Sequence, residues 1–359
     1  MGRIGRTAGP SYGAGLPLLL GFGARAHGYP AGMDLGYALS SEEHAPINLV
    51  RLAERAEDVG FPYALISDHY HPWIDRQGQN PFVWTVIGAI AACTSTLRLG
   101  TGVTCPLLRI HPAIVAQAAA TSAAMMPGRF FLGVGTGENL NEHILGDRWP
   151  STRERREMLE EAVEVIRLLW SGELVSFEGD HYRVNDARLY TLPDELPEIV
   201  VAAGGPQAAK VAARVGDGLV STAPDPEVVS AYREEGGAGV AYGMLTVCWA
   251  ESEAEARSTA LEWWPNGALR GTLGQELPLP SHFEQAAAMV DESSIAEAIV
   301  CGPDPQAHLG AIREFADAGF DTVYVHQVGP AQDGFMDFYA REIVHEVADL
   351  APARQRAAA

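Results

Sequence analysis

The sequence predicts a (β/α)8 barrel, and three observations carry that prediction. Short β-like runs alternate with amphipathic helical runs eight times over about 315 residues. The strand-like runs are continuously apolar, as in a parallel sheet covered on both faces. No G-x-G-x-x-G follows the first of them, which sets a closed barrel above an open dinucleotide-binding sheet.

Met33 marks the start of the fold. Asp34 to Leu39 reads as the first strand and Pro46 to Gly60 as the first helix, with proline in its first turn and glycine at its end. Tyr63 to Ser67 is the second strand, followed by a helix over Phe82 to Thr94. Leu97 to Val103 is the third strand, with a helix over Pro112 to Met125. Phe130 to Val134 is the fourth. Ser151 to Trp170 is the clearest helix, because Met158, Leu159, Ala162, Val163, Ile166 and Leu169 recur at helical spacing among Glu and Arg. Residues 171 to 196 form an irregular connection with a hairpin around Glu178-Gly179. Ile199 to Ala203, Gly218 to Ser221, Tyr242 to Ala250 and Thr322 to His326 complete the strands. Further helices span Pro206 to Val215, Glu251 to Trp264, Pro305 to Ala318 and Gly334 to Ala348. Residues 265 to 294, interrupted by Pro and Gly, read as an insertion. One catalytic domain, residues 33 to 350, is expected between a disordered leader (1 to 32) and a disordered tail (351 to 359). The leader only faintly resembles a signal peptide, since Gly21 and Gly23 break its apolar stretch.

Composition narrows the function. The 359 residues are 47% hydrophobic and 20% charged, a globular balance able to fill a large core. Net charge is −21, which disfavours nucleic acid and anionic membranes as partners. No apolar run is long enough for a transmembrane helix. Cys93, Cys105, Cys248 and Cys301 form no C-x-x-C pair, so neither a metal site nor a disulfide framework is expected, and the chain reads as cytoplasmic.

Barrel enzymes place their chemistry where strands run out into loops. The second strand ends in Ser67-Asp68-His69-Tyr70-His71-Pro72-Trp73. An imidazole here suits proton transfer near neutral pH, with Asp68 to orient it or to bond a cofactor ring, and Trp73 to stack or donate its N–H. The plain alternative is a capped loop with a packed aromatic. The third strand ends in Gly100-Thr101-Gly102-Val103-Thr104-Cys105, where two glycines fit either close approach to a ligand or a β-bulge. Cys105 has no adjacent activator and does not read as a nucleophile. The fourth ends in Gly133-Val134-Gly135-Thr136-Gly137-Glu138-Asn139-Leu140-Asn141. Glu138 fits a general acid under a bound ring, or a carboxylate complementing a helix dipole. The fifth ends in Ala202-Ala203-Gly204-Gly205-Pro206, small residues before a helix start, which fit a phosphate held by backbone N–H groups or an ordinary glycine turn.

Taken in order, S-D-H-Y-H-P-W, G-T-G-V, F-L-G-V-G-T-G-E-N-L-N-E, L-W-S-G-E and V-A-A-G-G-P resemble the coenzyme-F420-dependent branch of the bacterial luciferase-like superfamily. The pattern is most similar to its glucose-6-phosphate dehydrogenases and covers most of the chain. The resemblance implies F420 as cofactor and His69, Trp73 and Glu138 as catalytic residues. It implies that Asp68 contacts the deazaflavin and that Gly102-Val103 carries a non-prolyl cis peptide. Cys105, Thr136, Gly137 and Asn141 would line the cofactor, and Ala202, Ala203, Gly204 and Gly205 would hold its phosphate side. In the implied chemistry His69 takes the proton of a substrate hydroxyl, Glu138 manages the proton on the ring, and Trp73 stabilises developing charge. A homodimer is implied as well.

The chain departs from the sugar-phosphate enzymes where they hold phosphate with cations. Asp225 or Pro224 stands at the first lysine position, Leu273 to Glu284 contains no lysine, and Ala298 replaces the arginine. A phosphate dianion would find no partner. A small alcohol, a carbonyl or an activated alkene is therefore expected in place of glucose 6-phosphate. His282, His326 and Trp263-Trp264 are candidates to shape that pocket. Two rival functions are an FMN-dependent monooxygenase on the same barrel and a cofactor-binding protein without turnover.

Overall fold

The computed structural model describes residues 32–347 and 350. The expected leader, apart from Gly32, and the tail from 351 to 359 lie outside the described residues, as does Ala348 of the last expected helix.

Eight parallel strands close on themselves: β1 Asp34–Leu39, β2 Tyr63–Ile66, β3 Arg98–Thr101, β4 Phe130–Val134, β5 Ile199–Ala202, β6 Gly218–Ser221, β7 Ala241–Cys248 and β8 Thr322–Gln327. Neighbours pair in sequence order, and Asp34 to Tyr37 of β1 pair with Thr322 to Val325 of β8 to seal the ring. Every strand foreseen from the apolar runs is present.

The helices follow from periodicity and capping. The helix Thr152–Leu169 starts where Ser151 Oγ accepts from the backbone N–H of Glu154 and buries the apolar face predicted for it. Trp170 closes it by donating its indole N–H to Ala116 O at 2.9 Å. The hairpin is observed as Val175–Glu178 against Arg183–Ala187. The insertion is more ordered than its prolines suggest, with helices at Pro280–Ala287 and Glu292–Ala298. The helix Pro226–Glu234 escaped the reading of the sequence although Asp225 and Pro226 supply its cap and first turn.

Aromatic side chains fill the barrel interior. Phe131, Tyr242 and Tyr324 are fully buried, with Phe131 stacked on Tyr242 at 5.7 Å and Tyr242 at 5.7 Å from Tyr324. Gly100 makes room for this layer, since a Cβ there would lie 2.1 Å from the Phe131 ring. It serves packing, neither ligand approach nor a bulge. Gly133 is tighter, because its Cβ would lie 1.9 Å from the carbonyl oxygen of Thr101.

Gly133→Ala should therefore cost about 2–4 kcal/mol, since the obstructing atom is backbone. Gly204→Ala, whose Cβ meets nothing within 4 Å, should leave the denaturant midpoint close to wild type. Urea unfolding of both variants checks this; equal midpoints would show that the β3–β4 contact has slack.

Candidate active site

The loops after β1, β2, β3 and β4 converge at the C-terminal mouth of the barrel. Three elements hold them. Asn141, buried after β4, accepts from the backbone N–H groups of Tyr70 at 2.9 Å and His71 at 3.1 Å. Its amide donates to Glu138 Oε2 at 3.3 Å. Arg109, beyond β3, reaches Asp68 Oδ1 at 2.9 Å and Glu142 Oε1 at 3.4 Å. Thr104 Oγ1 donates to the other Asp68 oxygen at 2.7 Å. One guanidinium thus neutralises two buried carboxylates.

His69 stands at the centre. Its Nδ1 lies 2.8 Å from Glu42 Oε1, a buried ion pair. Its Nε2 is 3.8 Å from Glu138 Oε2, and the Trp73 ring packs edge-on at 5.0 Å. Burial is the largest influence on the imidazole and lowers its pKa, but Glu42 and then Glu138 more than reverse this, bringing it to about 9. Burial likewise raises Glu42, yet His69, the Ser67 hydroxyl and its own backbone N–H outweigh it and hold the carboxyl at about 2. Ser40 Oγ and Ser67 Oγ donate to Glu42 Oε2 at 2.9 and 2.7 Å. The arrangement therefore holds a charged imidazolium between two carboxylates, able to give or take a proton at Nε2.

The structure brings His69, Trp73, Glu138, Asp68 and Asn141 together. Gly102-Val103 is cis, as the resemblance implied. Val103, Gly135 and Ala202 adjoin one another, because a Cβ on Gly135 would meet Val103 at 2.6 Å and Ala202 at 3.2 Å. Gly137 has a φ of 68° and packs against Cys105. That thiol is buried, and desolvation with help from Glu142 pushes its pKa well up, which fits its reading as no nucleophile. Thr136 and Ala203 sit at the same strand ends, Thr136 half-buried and Ala203 buried. Gly204 and Gly205 border open space.

Two residues of this site escaped the reading of the sequence, Glu42 and Arg109. Glu42 was legible in Ser40-Ser41-Glu42-Glu43-His44, the exit of β1. Arg109 carries no local signal, because its partners are 41 and 33 residues away in the chain. Three pocket candidates are reassigned. Phe283, not His282, packs against Trp73, at 5.2 Å. His326 pairs with buried Glu43 at 3.2 Å and packs against Trp264. Of the tryptophan pair, Trp263 lies under Arg76, whereas Trp264 lines the cavity beside Trp73 as expected. Asp225 caps a helix by accepting from Glu227 N at 2.9 Å, while Pro224 and Ala298 line a cavity of about 760 Å³ beside Trp73. Among the described residues, no lysine or arginine joins that lining.

A family model described as luciferase-like monooxygenase matches residues 29–322. The chain belongs to this family. One relative, the F420-dependent hydroxymycolic acid dehydrogenase of Mycobacterium tuberculosis, is 37% identical over 328 residues, 89% of each chain. The F420-dependent glucose-6-phosphate dehydrogenase of Mycobacterium avium is 35% identical over 344 residues, 91% of this chain and 99% of its own. Among solved structures, an F420-dependent secondary alcohol dehydrogenase in complex with an F420-acetone adduct superposes with a TM-score of 0.81 at 30% identity. That match spans 87% of this chain and 98% of the other.

The pH dependence of stability follows from the two shifts. His69 is raised from 6.5 to about 9, so its contribution is full below pH 6.5 and is lost as pH rises through about 9. Glu42 is lowered from 4.5 to about 2, so its contribution is full above pH 4.5 and is lost as pH falls toward about 2. Glu42→Gln should drop the His69 titration by about one unit or more and flatten the alkaline loss of stability. Histidine NMR titration reads the first and thermal unfolding the second; an unmoved His69 titration would show that Glu42 does not set its charge.

Proposed function

We propose that this chain is an F420-dependent oxidoreductase that transfers a hydride between the deazaflavin and an uncharged alcohol, carbonyl or activated alkene. The observation that carries this is His69, held between Glu42 and Glu138 with Trp73 edge-on, at the mouth of a luciferase-like barrel.

The residues present fit the cofactor. Gly204 and Gly205 leave open space at the β5 exit, and a helix begins directly after them at Pro206. That pairing of bare backbone with free N–H groups suits a phosphate in a chain of net charge −21. The cis Gly102-Val103 bond, Thr136, Gly137 and Ala202 lie at the neighbouring strand ends, where a flat ring system would rest. Asp68, fixed by Arg109 and Thr104, and buried Cys105 complete that wall. When bound, F420 supplies or accepts the hydride.

The chain's own groups handle the protons. His69 Nε2 faces Glu138 and serves as the acid for a carbonyl oxygen, or as the base for a hydroxyl once deprotonated. Glu138, partly exposed toward the mouth, sits where the ring proton would be managed. Trp73 presents its edge to His69 and stabilises charge developing on the substrate. Glucose 6-phosphate is disfavoured, because Pro224 and Ala298 line the cavity and among the described residues no lysine or arginine joins them.

We place the protein in the cytoplasm as a homodimer. Phe82, Ile114 and Met125 are exposed on two adjacent helices, an apolar face suited to a second copy. Among the described residues no helix is long and apolar enough to cross a membrane. Light scattering at micromolar concentration should return twice the chain mass; a monomer would remove the dimer.

Titration with F420 and separately with FMN, followed by tryptophan fluorescence, tests the cofactor. F420 alone should bind tightly, whereas binding of FMN alone would move the protein to the monooxygenase chemistry of its family. Glu138→Gln should keep F420 binding while turnover falls by roughly 10²–10⁴; equal loss of binding would make Glu138 structural. Alcohol oxidation should rise with pH toward about 9, as His69 loses its proton, and carbonyl reduction should fall over the same range.

A further inference from the structure

The barrel wall is incomplete between β6 and β7. Leu219 to Ser221 pair with Ala241 to Gly243, and further along β7 Val247 and Cys248 pair with a two-residue strand, Val300–Cys301. Between these ladders Met244, Leu245 and Thr246 pair only with β8. They are the half-buried residues of an otherwise buried strand.

The 760 Å³ cavity beside Trp73 runs through this gap. Consecutive strand residues face opposite sides of a sheet, yet Met244, Leu245 and Thr246 all line it. Met244 packs with the barrel interior and Leu245 with the layer between barrel and helices. At the inner end the cavity touches Trp73 and Phe283. At the outer end it touches Ala307, Gly310 and Ala311 on the helix Pro305–Ala318. A Cβ on Gly310 would meet nothing within 4 Å.

A cavity of this size suits a ligand of many heavy atoms; pockets for drug-sized molecules run from about 300 to 1,000 Å³. A three- or four-carbon alcohol fills only the part beside Trp73. Two carboxylates, Glu297 and Glu314, join the lining, Glu297 paired with Arg270 at 3.4 Å, and among the described residues no lysine or arginine belongs to it, so the lining offers an anionic tail no cation of its own.

We infer that the substrate is an elongated, uncharged alcohol or ketone whose reacting carbon sits beside His69 and Trp73. Its tail threads the wall gap between β6 and β7 and lies against the helix Pro305–Ala318. This rests on the hydride-transfer role proposed above and adds a substrate subsite on the outer side of the barrel.

The test uses the F420-loaded protein and a series from 2-butanol to 2-decanol, with 2-decanone as a binding probe read by tryptophan fluorescence. Wild-type kcat/KM should rise with chain length, by up to about fourfold for each methylene buried. Gly310→Leu and Ala307→Leu fill the outer half of the cavity at positions that tolerate leucine in a helix. Each should weaken 2-decanone binding at least tenfold while leaving F420 binding and 2-butanol turnover within twofold. A flat chain-length profile together with unchanged 2-decanone binding in both variants would overturn the subsite. If F420 binds but no alcohol of any length is oxidised, the hydride-transfer role fails. The 2-decanone measurement still decides the subsite in that case, weakened binding supporting it and unchanged binding overturning it.

Discussion

The site depends on a single buried guanidinium. Arg109 lies between Asp68 and Glu142, all three withdrawn from water. Burial pushes the Glu142 carboxyl upward in pKa, and Arg109 opposes that shift. With Arg109 between them, Asp68 and Glu142 become a clamp that ties the loop after β2 to the loop after β4. Those two loops carry His69 and Trp73 on one side and Glu138 on the other. The placement of His69, Trp73 and Glu138 is therefore set by charges on other residues.

A second layer of charge acts on the imidazole itself. Glu42 stands on its Nδ1 side and Glu138 on its Nε2 side. Burial alone would strip His69 of its proton; the paired carboxylates keep it. The serines around Glu42 matter in turn, because they hold that carboxylate ionised in a dry environment. The charge on His69 thus rests on Glu42, and Glu42 in turn on the serine hydroxyls around it.

Much of this was legible in the sequence. The strands could be read because a parallel barrel buries both faces and leaves continuous apolar runs. The loops with His69, Trp73 and Glu138 could be read because reactive side chains gather at strand exits. What escaped depends on contacts distant in sequence. Arg109 shows no local pattern, and Glu42 follows a strand whose exit drew no attention among adjacent acidic and polar residues. Gly100 read as either a ligand-facing or a bulge glycine, but its lack of a side chain answers to the Phe131 ring across the interior. Asp225 looked like a pocket residue because alignment by spacing ignores capping, and the cap at Glu227 takes its carboxylate.

The aromatic layer of Phe131, Tyr242 and Tyr324 makes the barrel a cul-de-sac. Nothing passes through it to the N-terminal face, so whatever reaches the strand ends comes and goes by the mouth or by the gap between β6 and β7.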